Sequence, residues 1–338
     1  MEERYQRQIR FAPVGREGHD RIRAASVLLV GCGALGSAIA EHLARAGVGR
    51  LRLCDRDFVE WANLQSQTLF SSRDAERNLP KAVAARERLG AINPDVTTDG
   101  RVVDVVPQNI DGLMDGIDLI LDGTDNFETR FVLNDACVRD GKPWIYGGVV
   151  GSSGMAMTIR PGVTACYACL LGEPPPVGSA PTCETAGVLS TAVAWVASFQ
   201  CTEAIKILCG RTKDLVEGLT TMDVWTGRVE SFGLRRQDDC PVCVRRRFAH
   251  LEGARSGRSA ILCGRNAVQV SPPGPATIDL KELERRLAPL GEVSRNEFLL
   301  RARLDGCEVT VFPDGRAIVK GTDDPSRARA LVARYVGS

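Results

Sequence analysis

The sequence predicts an α/β protein: a Rossmann-like, mainly parallel sheet with helices on both faces, stapled by zinc, plus a small C-terminal α+β domain. Three observations lead there. Short apolar runs alternate with stretches of helical spacing between residues 25 and 146, the pattern of parallel strands covered on both faces. The first run ends in Gly31-Cys32-Gly33-Ala34-Leu35-Gly36, a tight strand-to-helix turn that brings backbone N–H groups and a helix amino terminus to phosphate. Two Cys-x-x-Cys pairs, Cys166 with Cys169 and Cys240 with Cys243, can close a four-thiolate zinc site between distant segments. Four protein thiolates leave no open position for water, so such a zinc is structural.

Residues 25–30 form the first predicted strand and 37–46 the helix after it. Residues 51–55 form the second, with Asp55 nineteen residues after Gly36, near the spacing of an acidic residue that meets a ribose hydroxyl. The alternation continues with a helix at 80–89, strands at 102–106 and 119–122, a helix at 128–138 and a strand at 144–146. A long helix at 191–208 carries Glu203 and Lys206 on its polar side, and a hairpin pairs 220–223 with 228–232. The polar, glycine-containing stretch 253–258 reads as a linker that divides a nucleotide-binding domain, 1–252, from a smaller domain, 253–338. In the smaller domain the pattern predicts a strand at 260–270, a helix at 280–290 and strands at 298–304, 308–312 and 317–320. Pro313-Asp314-Gly315-Arg316 is a hairpin turn, and 325–335 is a helix.

A chain of 338 residues, 44% of them apolar, has material for about two domains. Its 43 basic and 42 acidic side chains leave a formal charge of +1, which supports neither nucleic acid nor an anionic membrane as a partner. Twelve cysteines, with no secretory leader or transmembrane run, predict a cytoplasmic setting of metal-bound and free thiols. The most apolar stretch, 188–199, is too short to span a bilayer and reads as a buried helix.

The glycine loop of Gly31, Gly33 and Gly36, together with Asp55, suits a dinucleotide or ATP; its bland alternative is a turn built for close packing. Asp57, Asn63, Gln65 and Gln67 follow Asp55, Lys81 opens a helix, and Asp122-Gly123-Thr124-Asp125-Asn126-Phe127 follows a buried strand. A lysine can neutralise a polyphosphate, and Asp125 can hold magnesium or position an attacked phosphate. Hydride transfer requires neither. The alternatives are a solvated Lys81 and an Asp125-Asn126 helix cap. For the four cysteines they are redox dithiols or buried small side chains. Cys183 lies outside both pairs and is either a nucleophile or a thiol without chemistry.

Taken together, Arg4-Tyr5-Gln6-Arg7-Gln8-Ile9, Gly31 to Gly36, Asp55-Arg56-Asp57, Asn63-Leu64-Gln65, Pro80-Lys81, Thr124-Asp125-Asn126, Cys183 to Val188 and the two cysteine pairs resemble the ThiF/MoeB/HesA family, bacterial relatives of ubiquitin-activating enzymes. The resemblance covers roughly Arg4 to Cys243. Val59-Glu60-Trp61, Trp144 to Gly148 and Leu262 to Asn266 are most similar to the thiamine-biosynthesis branch that carries a C-terminal extension. The resemblance implies adenylation of the C-terminal glycine of a ubiquitin-like sulfur carrier ending in Gly-Gly, with ATP and magnesium, before thiocarboxylate formation. It assigns the ribose to Asp55, the phosphates and their surroundings to Lys81 and Asn63, and magnesium and the α-phosphate to Asp125. Arg7 resembles an arginine that reaches into the other subunit of a homodimer. Cys183 corresponds to a cysteine that in some members takes part in sulfur transfer or a covalent carrier intermediate; a cysteine desulfurase or another donor would supply the sulfur.

One residue departs from the family pattern: Ser66 stands where an arginine is common after Asn-Leu-x, and serine cannot replace a charged fork on phosphate. Other classes remain open at this level. They are activation of a molybdopterin-synthase carrier, a related carboxylate-activating or RNA-modifying enzyme, a nicotinamide oxidoreductase, and a scaffold without activity.

Overall fold

The computed structural model of the chain describes residues 2–176, 182–252, 259–262, 266–272 and 276–337. The linker expected at 253–258 and Cys263 lie outside these residues. Backbone proximity divides the chain into two compact units, Met1–Pro176 with Ala186–Ala254, and Val177–Thr185 with Arg255–Ser338.

The first unit begins with α1 (Glu2–Arg10), α2 (Gly15–Ala24), β1 (Ser26–Val30), α3 (Ala34–Ala46) and β2 (Arg50–Asp55). It continues through α4 (Ser72–Glu76), α5 (Lys81–Ile92), β3 (Thr97–Val102), α6 (Ile110–Met114), β4 (Leu119–Asp122), α7 (Phe127–Asp140), β5 (Trp144–Val150), β6 (Ser153–Ile159) and α8 (Tyr167–Leu171). After the short α9 (Cys183–Ala186), of which only Ala186 falls in this unit, come α10 (Ser190–Leu208), β7 (Leu219–Asp223) and β8 (Arg228–Phe232). The eight strands form one sheet in the order β3-β2-β1-β4-β5-β6-β7-β8. The first five in that order are parallel, and β6, β7 and β8 extend the sheet antiparallel. The chain winds outward from β1 to β3 and then crosses to β4 on the other side of β1. The crevice beyond the carboxyl ends of β1, β2 and β4 is therefore a topological switch point, where ligands of such sheets bind.

Strand alternation supplies both faces with apolar side chains. Leu28 and Val30 of β1 pack with Ile110 of α6 and with Phe131 and Leu133 of α7, whereas Leu29 lies beside Gly36 of α3 on the other face. The strand expected at 102–106 ends where it was expected to begin. β3 is an edge strand whose Asp99 pairs with Arg101 of the same strand and with Arg50 and Arg52 of β2, so its polar sequence hides it. Glu203 is a second difference. It is buried, not on a polar side, because α10 packs on α3, β5 and β6. The carboxylate accepts from Thr158 Oγ1 at 3.0 Å, Val216 N at 3.0 Å and Lys206 Nζ at 2.6 Å, which offsets its loss of water.

The second unit is an antiparallel sheet of β9 (Ser259–Leu262), β10 (Ala267–Val270), β11 (Val293–Arg295), β12 (Leu300–Leu304), β13 (Cys307–Val311) and β14 (Ala317–Lys320), ordered β11-β12-β13-β14-β10-β9. α11 (Leu280–Leu287) and α12 (Pro325–Tyr335) cover one face, where Leu283, Leu287, Leu331 and Val332 meet Val268, Leu300, Val309 and Val319. The single strand expected at 260–270 is an antiparallel pair with Ala267 opposite Leu262, and Asn266 takes a positive φ of 42° just before β10.

Candidate functional site

The three glycines after β1 have different causes. Gly31 has φ +87°, and a Cβ there would lie 2.6 Å from Gly123 O; one at Gly36 would lie 1.9 Å from Gly31 O. Both are demanded by backbone packing between the ends of β1 and β4 and the start of α3. Gly33 differs, because a Cβ there would meet nothing within 4 Å. It precedes α3 without a side-chain cap, so the first N–H groups of that helix are open to an anion that approaches the backbone closely.

Asp55, at the end of β2, ties this loop to the next one: its Oδ2 accepts from Cys32 N at 2.6 Å and its Oδ1 from Asp57 N at 2.7 Å. Burial pushes its carboxyl above the ordinary value, against the nearby Lys81 ammonium. Lys81 is not solvated. It is 4% exposed, its N–H donates to Asp57 O at 2.9 Å, and its Nζ lies 3.6 Å from Asp57 Oδ2. Asp57 in turn is 3.9 Å from Arg56 Nε, and Arg56 Nη1 donates to both oxygens of Asp104 at 3.1 Å. Burial works against the Arg56 cation, but Asp104, Asp57 and Asp125 together hold its pKa above the ordinary value. Charges of alternating sign thus run from Asp104 through Arg56 and Asp57 to Lys81, and the charge of Asp125 acts on the same guanidinium.

The corner after β4 is built on a buried ion pair. Arg130 Nε donates to Asp122 Oδ2 at 2.9 Å, and its Nη2 donates to Thr124 O at 2.6 Å and Gly147 O at 3.0 Å. Thr124 closes the other oxygen of Asp122 with its N–H and hydroxyl, while Gln200 Nε2 donates to Asp122 O and Ile145 O. Burial opposes the Arg130 charge, yet Asp122 lifts its pKa above the ordinary value. Asp125 follows this clamped corner and is exposed. Asn126 caps α7, accepting from Thr129 N at 2.8 Å, so the capping alternative describes it. Asn63 likewise closes a local turn, with Oδ1 accepting from Glu60 N at 3.2 Å. Gln67 Oε1 is buried with no donor among the described residues, and Ser66 is also buried. Arg56, Asp104, Arg130 and Gln200 were not singled out from sequence. Arg130 had a signal, being eight residues after an aspartate that closes an apolar strand.

Arg7 is exposed on α1. Cys183 is half-buried in α9, between Thr182 and Thr185, whose hydroxyls bond each other's backbone N–H.

The four cysteines do meet. Cys166 Sγ lies 3.8 Å from Cys169 Sγ and 3.7 Å from Cys240 Sγ, Cys169 Sγ lies 3.5 Å from Cys243 Sγ, and all four fall within 4.8 Å of one another. A tetrahedron with metal–sulfur bonds of about 2.3 Å has edges of about 3.8 Å, so the cluster can hold zinc. Gln237 Nε2 on Cys169 O at 3.0 Å and Arg236 Nη2 on Cys243 O at 2.9 Å fix the two turns from outside. No helix among the described residues is long and apolar enough to cross a membrane.

The ThiF family pattern matches residues 5–242. A "Sulfur carrier protein ThiS adenylyltransferase" of Bacillus subtilis (strain 168) is 42% identical over 341 residues, covering 100% of both chains. A "Sulfur carrier protein adenylyltransferase" of Thermus thermophilus is 37% identical over 246 residues, covering 71% of this chain and 90% of the relative. Among solved structures, E. coli MccB superposes with a TM-score of 0.63 over 72% of this chain and 74% of its own, at 23% identity, which is a likeness of fold. A match that runs from the first helix through the cysteine cluster, at these identities, means that the chain belongs to the ThiF family.

Proposed function

We propose that the chain adenylates the C-terminal glycine of a ubiquitin-like sulfur carrier, using ATP and magnesium, and so prepares that carrier for thiocarboxylate formation in thiamine biosynthesis. The observation that carries this is the 42% identity to the B. subtilis protein over the whole of both chains, the second unit included.

In this reading the amino terminus of α3 and Gly33 receive phosphate, Asp55 accepts from ribose hydroxyls, and Lys81 offsets phosphate charge. Asn63, Gln67 and Asn126 shape the loops around them. Asp125 serves the α-phosphate, and magnesium bound there would neutralise charge on phosphate oxygens. A carrier carboxylate oxygen bonds to the α-phosphorus, the bond to the oxygen bridging the β-phosphate breaks, and pyrophosphate leaves. The protein contributes positioning and charge, not a covalent step, to this transfer.

Zinc held by Cys166, Cys169, Cys240 and Cys243 is structural. The protein works as a homodimer in which Arg7 serves the other subunit's site, and Cys183 takes part in later sulfur transfer from a cysteine desulfurase or similar donor. Residues 1–252 form the adenylating domain and 253–338 a separate one, in a cytoplasmic enzyme. The test is ATP–pyrophosphate exchange with candidate carriers ending in Gly-Gly. Exchange that depends on one carrier and is lost in Asp125→Ala supports the reading and names the pathway. No exchange with any carrier, from folded zinc-loaded protein, refutes it.

A further inference from the structure

α1 is seated on the carboxyl end of α3. Tyr5 and Gln8, three residues apart and therefore on one side of α1, make the attachment. Gln8 Nε2 donates to Ala46 O at 3.0 Å and lies 3.1 Å from His19 Nδ1. Asn93 Nδ2 donates to Tyr5 OH and to Ala44 O, both at 2.7 Å. The Tyr5 ring centroid lies 4.5 Å from that of His19, the planes tilted by 42°, and the ring lies so close to Gly47 that a Cβ there would sit 2.7 Å from Tyr5 Cε1. Two of the last carbonyls of α3 are thus satisfied by side chains of α1 and of the residue after α5. Nearby, Arg4 Nη1 donates to Ile92 O at 2.8 Å.

This seat has a consequence for Arg7. The glycine loop is at the amino end of α3, and the helix has 13 residues, about 20 Å of length. Arg7 lies between two residues fixed at the far end, and a three-carbon stem with a guanidinium covers only part of that distance. In its own chain Arg7 cannot reach the loop, whereas Arg7 and Arg10 are exposed on α1, away from Tyr5.

We propose that Tyr5 and Gln8, with Asn93 and Gly47 as their seat, are positioning residues that aim Arg7 at the nucleotide site of a second copy. The proposal rests on the adenylation reading and goes beyond it by assigning the anchor that the trans arrangement requires.

The experiment co-expresses two differently tagged chains, purifies heterodimers and measures carrier-dependent ATP–pyrophosphate exchange. Gln8→Ala homodimers are expected to lose about tenfold or more in rate. A Gln8→Ala chain paired with an Asp125→Ala chain receives an intact Arg7 at its own intact site, so about half the wild-type rate per dimer returns. Paired with an Arg7→Ala chain it stays low. Tyr5→Phe, which keeps the ring and removes only the hydroxyl, gives a smaller loss restored in the same way, and decides the matter if Gln8→Ala fails to dimerise. A Gln8→Ala defect that Asp125→Ala does not restore, or wild-type activity in Gln8→Ala homodimers, overturns the proposal. Full activity in Arg7→Ala homodimers overturns it too. Inactive wild-type protein instead removes the adenylation reading, so the two failures are distinct.

Discussion

Two corners of this molecule are each organised around a buried arginine, and they differ in what the arginine holds. Arg130, at the start of α7, faces Asp122, which is 0% exposed, and reaches on to the carbonyls of Thr124 and Gly147. Arg316, in the β13–β14 hairpin, pairs at 3.1 Å with Asp314, which is half exposed, and stacks at 4.3 Å over Phe312. The first pair is sealed on both sides; the second keeps one partner in water. A sealed pair fixes the backbone that carries Asp125, whereas an open one trims a turn. The difference teaches that a buried charge locks the backbone of its loop when all its partners are desolvated, and only trims a turn when one of them stays in water.

The largest test of this comparison is Arg130→Ala, which leaves the Asp122 carboxylate buried without its cation. We expect a loss of about 3–5 kcal/mol of stability by urea denaturation and loss of nucleotide exchange at temperatures where the protein remains folded. Arg316→Ala should cost only about 1 kcal/mol, because Asp314 returns to water, and should leave exchange unchanged. Equal losses in the two variants would break the comparison.

Another buried acid sharpens it. Asp135 is fully buried and accepts from His250 N at 3.0 Å, and burial pushes its carboxyl from 3.8 up to about 7. The folded chain therefore holds this proton more tightly than the unfolded one. Stability should fall as pH rises from about 4 to about 7 and then level off, by at most about 4 kcal/mol. Asp135→Asn still accepts from His250 N, so it should raise the melting temperature at pH 8 and change it little at pH 4. A shift of equal size at both pH values would rule out the titration. The smallest expected effect is Ser66→Arg, predicted to tighten ATP binding about threefold by adding a charge-assisted phosphate contact. Ser66 is 8% exposed, so weaker ATP binding and slower turnover would show that the loop cannot admit the longer side chain.

Much of the candidate site was legible residue by residue. The glycine loop, Asp55 at its spacing, Lys81, Asp125 and the paired cysteines could all be singled out, since each is carried by a local pattern. Asn126 was legible in both its readings, and the structure realises the cap. The supports were not legible. Arg130 sits in the first turn of α7 and looks like any helical arginine until β4 and β5 close over it. Glu203 looks solvated because its three donors come from β6, from the segment before β7 and from its own helix. β3 was misplaced because its charges are neutralised by an adjacent strand.

By itself, the sequence determined the α/β order, the strand-turn-helix corner of the glycine loop and the capacity for a four-thiol cluster. These depend on steric limits and ligand chemistry within a few residues of each motif. Only the tertiary structure decided that Lys81 lies against Asp57, that Asp122 is clamped beneath Asp125, and that Tyr5 and Gln8 seat α1 at the far end of α3. Such contacts are chosen by desolvation: a polar group that leaves water must find its partner among whichever distant segments pack around it.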